Sequence, residues 1–367
     1  MTRVALVHDW LVTMGGAERV LEELARLYPE APIYTGVVDY ARLSPFLRTR
    51  TIIPTFVQHL PRATRWYNRY LPLLAYGFEQ FDLSAYDLVI SSSAAVAKGV
   101  ITRAETRHIA YVHTPMRYAW DMYHQYRNRE ANRLERVVMG PVFHYLRMWD
   151  RLGADRVDDF VANSSTVQRR IQKHYRRESV VIHPPVDVDR FVLAEQPGRY
   201  YLVLSRLVAY KRIDLAVAAA NRLKARLLVA GDGPEKDRLR AAAGPTVEFL
   251  GRVDDGTARE LLCGARALLF PGEEDFGIAP VEAQASGLPV VAFGRGGVLD
   301  SVIPNETGVL FDEQTPEGLI DAIERTERVA WDPAVLRRNA ERFRPDVFRT
   351  RWRNLAETSR RKPVDTV

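Results

Sequence analysis

Cysteine is all but missing from this chain: Cys263 is the one thiol among 367 residues. A single thiol excludes any disulfide or thiolate zinc site within one chain, and a reducing cytoplasm becomes the default setting. Its surroundings, "ELLCGARALLF", are apolar and helical in pattern, which favours a buried, inert thiol over a nucleophile. Also lacking is any apolar run near the roughly 18 residues that a bilayer span requires. The opening "MTRVALVHDWL" has a short apolar stretch, but His8 and Asp9 interrupt it and no small-residue cleavage site follows. It reads as a first buried strand rather than a signal peptide. Low-complexity tracts and repeats of roughly 20 to 50 residues are absent. So is the G-x-G-x-x-G spacing of dinucleotide-binding turns, which disfavours a nicotinamide-dependent dehydrogenase or epimerase.

What is present is uneven in charge. The net charge is +6, yet residues 1–185 hold 25 Lys+Arg against 18 Asp+Glu, and the remainder holds 27 against 28. A basic first half suits an anionic partner, and solvated surface arginine explains it equally well. No recognised nucleic-acid module accompanies it, so nucleic acid is disfavoured as a partner.

Short runs rich in leucine and β-branched residues alternate with helical patterns. "RVALVHDW", "DLVISSS", "HIAYVHTP", "DFVANSS" and "SVVIHPP" form one series. "YYLVLSRL", "ARLLVAGDG", "VEFLGRV", "ARALLFPG", "LPVVAFGRGG" and "GVLF" form a second. Continuous apolar strands alternating with helices predict an α/β class of two Rossmann-like, doubly wound parallel-sheet domains. The break falls in "VVIHPPVDVDRFVLAEQPGRY", where prolines and a loop-like "EQPGR" intervene. The expected domains are 1–185 and 186–345, with 346–367, including "PDVFRTRWRNLAE", as a helix and tail that crosses back to the first. Ligands in such sheets sit beyond the carboxyl ends of the strands, so two facing domains would make a cleft.

The motifs fall just after strands. In "VTMGGAERVLEEL", Gly15 and Gly16 precede a helix, where a bare backbone and unpaired N–H groups suit a phosphate. "LVLSRLVAYKRIDLAV" places Arg206 and Lys211 in a strand-to-helix turn, two cations fit for a diphosphate. In "PGEEDFGIAPVEAQASGLPVV", Glu274 lies on a loop and Glu282 early in a helix. Carboxylates near a helix start are favourable with its dipole, which is one reading. The other is that they accept hydrogen bonds from sugar hydroxyls while the N–H groups of Phe276, Gly277 and Ile278 donate.

Glu-x7-Glu with an internal Phe-Gly, the Ser-Arg-x4-Lys turn, "GDGP", "FLGRV", "GGAER" and "HTP" together resemble family 4 of the retaining glycosyltransferases, which have the GT-B fold. The resemblance runs across about residues 3 to 345. "VHDWL", "GGAERVLEEL", "FDLSAYDLVISSS", "AVAKGVIT", "HTPMRYAWDMYHQY" and "EEDFGIAPVEA" look like the O-antigen and exopolysaccharide mannosyltransferase subgroup, which generally uses GDP-mannose. The resemblance implies that Arg206 and Lys211 hold the diphosphate, that Glu282 binds the ribose and that Glu274 binds donor-sugar hydroxyls with the backbone of Phe276–Ile278. It implies that Gly16 meets the distal phosphate and that His113, after "HIAYV", sits near the donor sugar. Arg252 and Val253 would face the base through their backbone. Ser205 departs from the glycine the family often carries. Asp187-x-Asp189 has the look of a metal-binding pair, but relatives carry a similar stretch at this interdomain position, so no metal and no cofactor beyond the sugar nucleotide is expected.

The acceptor would be a glycan or a polyprenyl-diphosphate-linked glycan. Residues 58–81, "QHLPRATRWYNRYLPLLAYGFEQF", interleave Arg62, Arg65 and Arg69 with Trp66, Tyr67, Tyr70, Tyr76 and Phe78. A peripheral membrane contact and a packed helical hairpin both account for that pattern. Arg117, Tyr118 and Asp121 are candidate acceptor contacts. A UDP-sugar-dependent enzyme and a non-catalytic sugar-nucleotide binder are the rival readings.

Overall fold

In the computed structural model the described residues are 2–129, 133–193 and 198–358. The chain forms two units, Met1–Pro184 with Arg349–Val367, and Pro185–Phe348.

The first unit is built on seven strands: β1 (Val4–His8), β2 (Ile33–Thr35), β3 (Ile52–Pro54), β4 (Leu88–Ser93), β5 (Arg107–Val112), β6 (Asp159–Ala162) and β7 (Val180–Val181). They run parallel in the order β3-β2-β1-β4-β5-β6-β7. The sequence series anticipates five of them. β2 and β3 go unread because each is three residues long and bordered or closed by proline, Pro32 and Pro54, too short for an apolar run to stand out. β4 and the last five residues of β5 are buried, as strands covered on both faces must be.

Residues 58–81 fold as short helical turns followed by the Leu71–Glu79 helix, whose Leu71, Leu74, Ala75 and Phe78 enter the core. Trp66 is flanked by the guanidinium groups of Arg62 and Arg69, at 4.8 and 5.5 Å from its ring. The helical packing therefore accounts for one face of the pattern, while Leu73 and Tyr76 remain exposed on the other. The Pro345–Thr358 helix packs within the first unit from Arg349 onward. Trp352 is fully buried and donates to Tyr28 Oη at 3.2 Å, and Arg349 pairs with Glu23 at 2.7 Å.

The second unit has six strands: β8 (Tyr200–Leu204), β9 (Leu227–Ala230), β10 (Val247–Gly251), β11 (Ala265–Phe270), β12 (Val290–Phe293) and β13 (Gly308–Phe311). Their order is β10-β9-β8-β11-β12-β13, again all parallel. Alternate residues feed two separate cores. Val290 and Ala292 point into one, Val291 and Phe293 into the other, so helices cover both faces. Residues 194–197 of the interdomain stretch lie outside the described residues. Cys263, expected to be buried, is half-buried at the end of the Asp255–Cys263 helix, where its thiol donates to Val192 O at 3.3 Å. Burial still pushes that thiol's pKa up, which keeps it a poor nucleophile.

Candidate functional site

In the second unit the motifs gather on the connections that follow β8, β9, β10, β11 and β12. Lys211 ends a short turn, Ala209–Lys211, and Arg212 then takes a left-handed conformation, φ 52°, before the Ile213–Leu223 helix. The Arg212 guanidinium pairs with Asp214 at 3.1 Å and donates to Gln314 Oε1 at 3.2 Å, and the Gln314 amide donates to Pro271 O at 2.9 Å. That brace ties the turn after β8 to the loop after β11. Gly272 brings the two backbones together, since a Cβ there would lie 2.5 Å from the Lys211 Cα.

The consequence is a direct ion pair, Lys211 Nζ to Glu274 Oε1 at 2.8 Å, with side chains 16% and 20% exposed. Glu274 is held in turn by the loop after β12: its carbonyl accepts from Gly297 N–H at 2.8 Å. Gly296, at φ 83°, leaves a Cβ no room, since it would lie 2.4 Å from the Glu274 carbonyl oxygen. A pair so near the surface contributes at most about 1 kcal/mol to stability. Its main physical content is a preset arrangement of opposite charges.

Arg206 is exposed, and among the described residues its guanidinium has no hydrogen-bonding or ionic partner. The turn that carries it is stitched to its neighbours. Ser205 N–H donates to Ala230 O at 3.0 Å, Leu207 N–H to Asp232 O at 3.0 Å, and Gly231 N–H to Gly251 O at 2.7 Å. Ser205 is tolerated because the close approach comes from the other side: a Cβ on Gly231 would fall 1.8 Å from the Ser205 carbonyl oxygen. Arg252 is exposed, while Val253 packs partly against the core. Phe276 anchors the acidic loop, its ring buried and 5.4 Å from that of Phe343. Gly277 caps the Ile278–Ala285 helix at φ 86°, and Glu282 is half-buried in its second turn. Among the residues singled out from sequence in this unit, Lys211 and Glu274 are brought into direct contact.

Asp189 is taken up by arginines. Arg344 grips it with two hydrogen bonds, at 2.8 and 2.6 Å, and Arg337 lies 3.6 Å away. Among the described residues no cluster of three or more His, Cys, Asp or Glu could hold a metal ion.

In the first unit Gly15 precedes the Gly16–Leu27 helix, and its N–H donates to Glu18 Oε2 at 2.9 Å. Glu18 is buried, with its other oxygen 3.8 Å from His8 Nε2. His8 closes β1, and its Nδ1 lies 3.1 Å from Ser92 Oγ, which is 2.8 Å from His113 Nε2. Burial first, and His8 second, push the His113 pKa down to about 3, so its ring is neutral at ordinary pH. Asp9 accepts four backbone N–H groups, from Ala94, Ala95, Val96 and Ala97, at 2.5 to 2.9 Å, and so fixes the loop after β4. Of the acceptor candidates, Asp121 is held by His174 at 2.9 Å and Arg170 at 3.1 Å. The hydrogen bond from His174 draws its carboxyl below the usual range. The Tyr118 ring packs on Phe143.

Sequence reading missed His8, Glu18 and Ser92 as members of the His113 surroundings. The available signal was position: residues at the carboxyl ends of adjacent parallel strands meet, and the β1–β4 register sets His8 opposite Ser92.

Two family models match the chain, "Glycosyltransferase Family 4" over residues 14–190 and "Glycosyl transferases group 1" over 186–343. A glycogen synthase of Pseudomonas syringae pv. tomato is 28% identical over 221 residues, which are 57% of this chain and 42% of that protein. The chain thus spans less than half the length of this curated relative. Among solved structures, a lipopolysaccharide outer core galactosyltransferase in its apo form has a TM-score of 0.69 at 15% identity, covering 97% of this chain and 99% of that one. The Anabaena protein Alr3699/HepE, in complex with UDP-glucose, has a TM-score of 0.69 at 18% identity, covering 98% and 100%. The fold is GT-B.

Proposed function

We propose that the chain is a glycosyltransferase that moves a hexosyl group from a nucleoside diphosphate sugar to a glycan or lipid-linked glycan acceptor, a reading supported by the two glycosyltransferase models matched between residues 14 and 343. The observation that carries this reading is the Lys211–Glu274 pair at 2.8 Å. A sugar diphosphate offers that pair both of its complements, anionic oxygens for the ammonium and hydroxyls for the carboxylate. Arg206, exposed on the same connection as Lys211, adds a forked donor for the diphosphate. Glu282 takes the ribose hydroxyls, the N–H groups of Phe276–Ile278 assist at the sugar, and the backbone of Arg252 and Val253 faces the base. The first unit supplies the bare backbone of Gly15 and Gly16 to phosphate, and His113 to the sugar.

The transfer retains the anomeric configuration. The bond from C1 to the departing phosphate oxygen breaks while the acceptor hydroxyl oxygen bonds C1 on the same face. The hydroxyl proton passes to the departing phosphate oxygen. Arg206 and Lys211 stabilise the charge that develops there, a role a metal fills in other glycosyltransferases, so turnover is expected to survive chelation.

Mannosyl transfer from GDP-mannose in cell-surface polysaccharide synthesis rests on stretches such as "VHDWL" and "HTPMRYAWDMYHQY". UDP-glucose is the competing donor, favoured by its presence in the Alr3699/HepE structure. Among the described residues no helix is long and apolar enough to cross a membrane. A lipid-linked acceptor would be met at the membrane surface, where exposed Phe56, Leu73 and Tyr76 offer an apolar face. Incubation with labelled GDP-mannose and UDP-glucose, with the anomeric configuration of the product read by NMR, tests the proposal. A retained hexosyl product from either donor supports it, and binding without transfer or hydrolysis would leave only a sugar-nucleotide binder.

A further inference from the structure

The proposed function leaves unused the polar residues of "VHDWL" and "GGAER", yet these build a connected chain in the first unit. Glu18, His8 and Ser92 are 5%, 2% and 0% exposed, and they come from the first helix, β1 and β4. Glu18 Oε1 stands 3.8 Å from His8 Nε2, His8 Nδ1 stands 3.1 Å from Ser92 Oγ, and Ser92 Oγ stands 2.8 Å from His113 Nε2.

The chain has a direction. A hydroxyl owns one hydrogen, so Ser92 donates to one imidazole and accepts from the other. The Glu18 carboxylate favours a proton on the His8 nitrogen that faces it, because a lone pair there would oppose a negative charge. In the neutral His8 imidazole Nδ1 is then bare and accepts from Ser92. Ser92 must accept from His113, whose Nε2 carries the proton. The opposite arrangement would aim a bare His8 Nε2 at Glu18 at 3.8 Å, inside a water-poor interior where such repulsion is strongest.

We propose that Glu18, His8 and Ser92 are positioning residues that lock His113 in its Nε2–H tautomer, with Nδ1 kept as a hydrogen-bond acceptor. Such a ring accepts from a ligand hydroxyl through Nδ1 and has no proton there to offer a phosphate oxygen. Glu18 has a second task, since its other oxygen holds the Gly15 N–H at 2.9 Å. One carboxylate thereby sets both the glycine turn and the polarity of the relay. The use of His113 rests on the function proposed above, whereas its tautomer does not.

The test is long-range 1H–15N correlation on the full chain labelled with 15N-histidine, at pH 8, with His113→Gln to assign the signal. A protonated Nε2 and a bare Nδ1 are expected in the parent protein. Ser92→Ala and Glu18→Gln should each convert that signal to a tautomer mixture, and Ser92→Thr should restore it. In transfer assays Ser92→Ala should lower kcat roughly tenfold, as loss of an orienting partner does, with the donor KM little changed. A protonated Nδ1 in the parent, or a tautomer indifferent to both Ser92→Ala and Glu18→Gln, overturns the proposal. A tautomer shift with undiminished turnover in Ser92→Ala and His113→Gln upholds the relay and removes His113 from donor binding.

Discussion

In the second unit the polar groups proposed to meet the donor are charged and lie within reach of water, whereas in the first the proposed groups are tightly hydrogen-bonded and sit beneath the surface. Lys211 and Glu274 are 16% and 20% exposed and Arg206 is open, while His8, Ser92 and Glu18 are 5% exposed or less. The difference follows from what each region is proposed to meet. A diphosphate needs cations, and a cation is cheap to keep only where water or a counter-charge relieves it. A hydroxyl needs a correctly oriented acceptor, and orientation is better fixed where packing allows a single hydrogen-bond pattern.

A charge buried in the first unit should be costly to disturb. Lys98 is 1% exposed and pairs with Asp150, which also accepts from Trp120 at 2.7 Å and Tyr175 at 2.9 Å. Lys98→Met should therefore be the most destabilising of the changes considered, by about 3–5 kcal/mol in denaturant unfolding, because it strands a buried carboxylate. Lys211→Ala and Glu274→Ala should behave oppositely. Each should lower kcat by about 10²- to 10³-fold while leaving the melting temperature within a few degrees. If they lower the melting temperature by about ten degrees or more while the folded protein keeps its turnover, the contrast between the units is wrong.

Acid probes the first unit next. His108 is fully buried, with Nε2 2.8 Å from Ser91 Oγ, and burial, then Arg156 and Lys98, push it down to about 3, as His113 is pushed. Both are depressed histidines, so the unfolded chain binds protons that the folded one refuses. Stability should be unaffected above pH ~6.5 and fall as pH drops from there toward 3, by up to about 1.4 kcal/mol per pH unit for each ring. His108→Gln should flatten part of that fall in thermal melts, and an unchanged acid profile would refute the burial argument. The smallest effect belongs to Asp189→Asn, which removes an exposed pair with Arg344. A stability change of about 1 kcal/mol or less and unaltered transfer are expected. A metal-dependent loss of activity would return Asp187-x-Asp189 to the site.

Much of this organisation was legible in the residues. Apolar runs gave all six strands of the second sheet: five are largely buried, and edge strand β10, half-buried with Glu248 exposed, was read from Val247, Phe249, Leu250 and the glycine that closes it. Only five strands of the first sheet could be read, since three-residue β2 and β3 owe their existence to pairing rather than to their own pattern. The Lys211–Glu274 contact joins residues 63 positions apart through Gly272 and the Arg212–Gln314 brace, a closure no local spacing announces. The His113 relay was hidden for a similar reason. Its members sit on β1, β4, the first helix and the residue just past β5, and only the strand register brings them into line.

The central claim is that Arg206 and Lys211 grip the donor's diphosphate. Calorimetric titration of GDP and UDP into the parent protein and the Arg206→Ala/Lys211→Ala double variant tests it most directly. The account predicts that the better-bound nucleotide loses about 100-fold or more in affinity, the worth of two charge-assisted contacts. Equal affinity in the two proteins would contradict it.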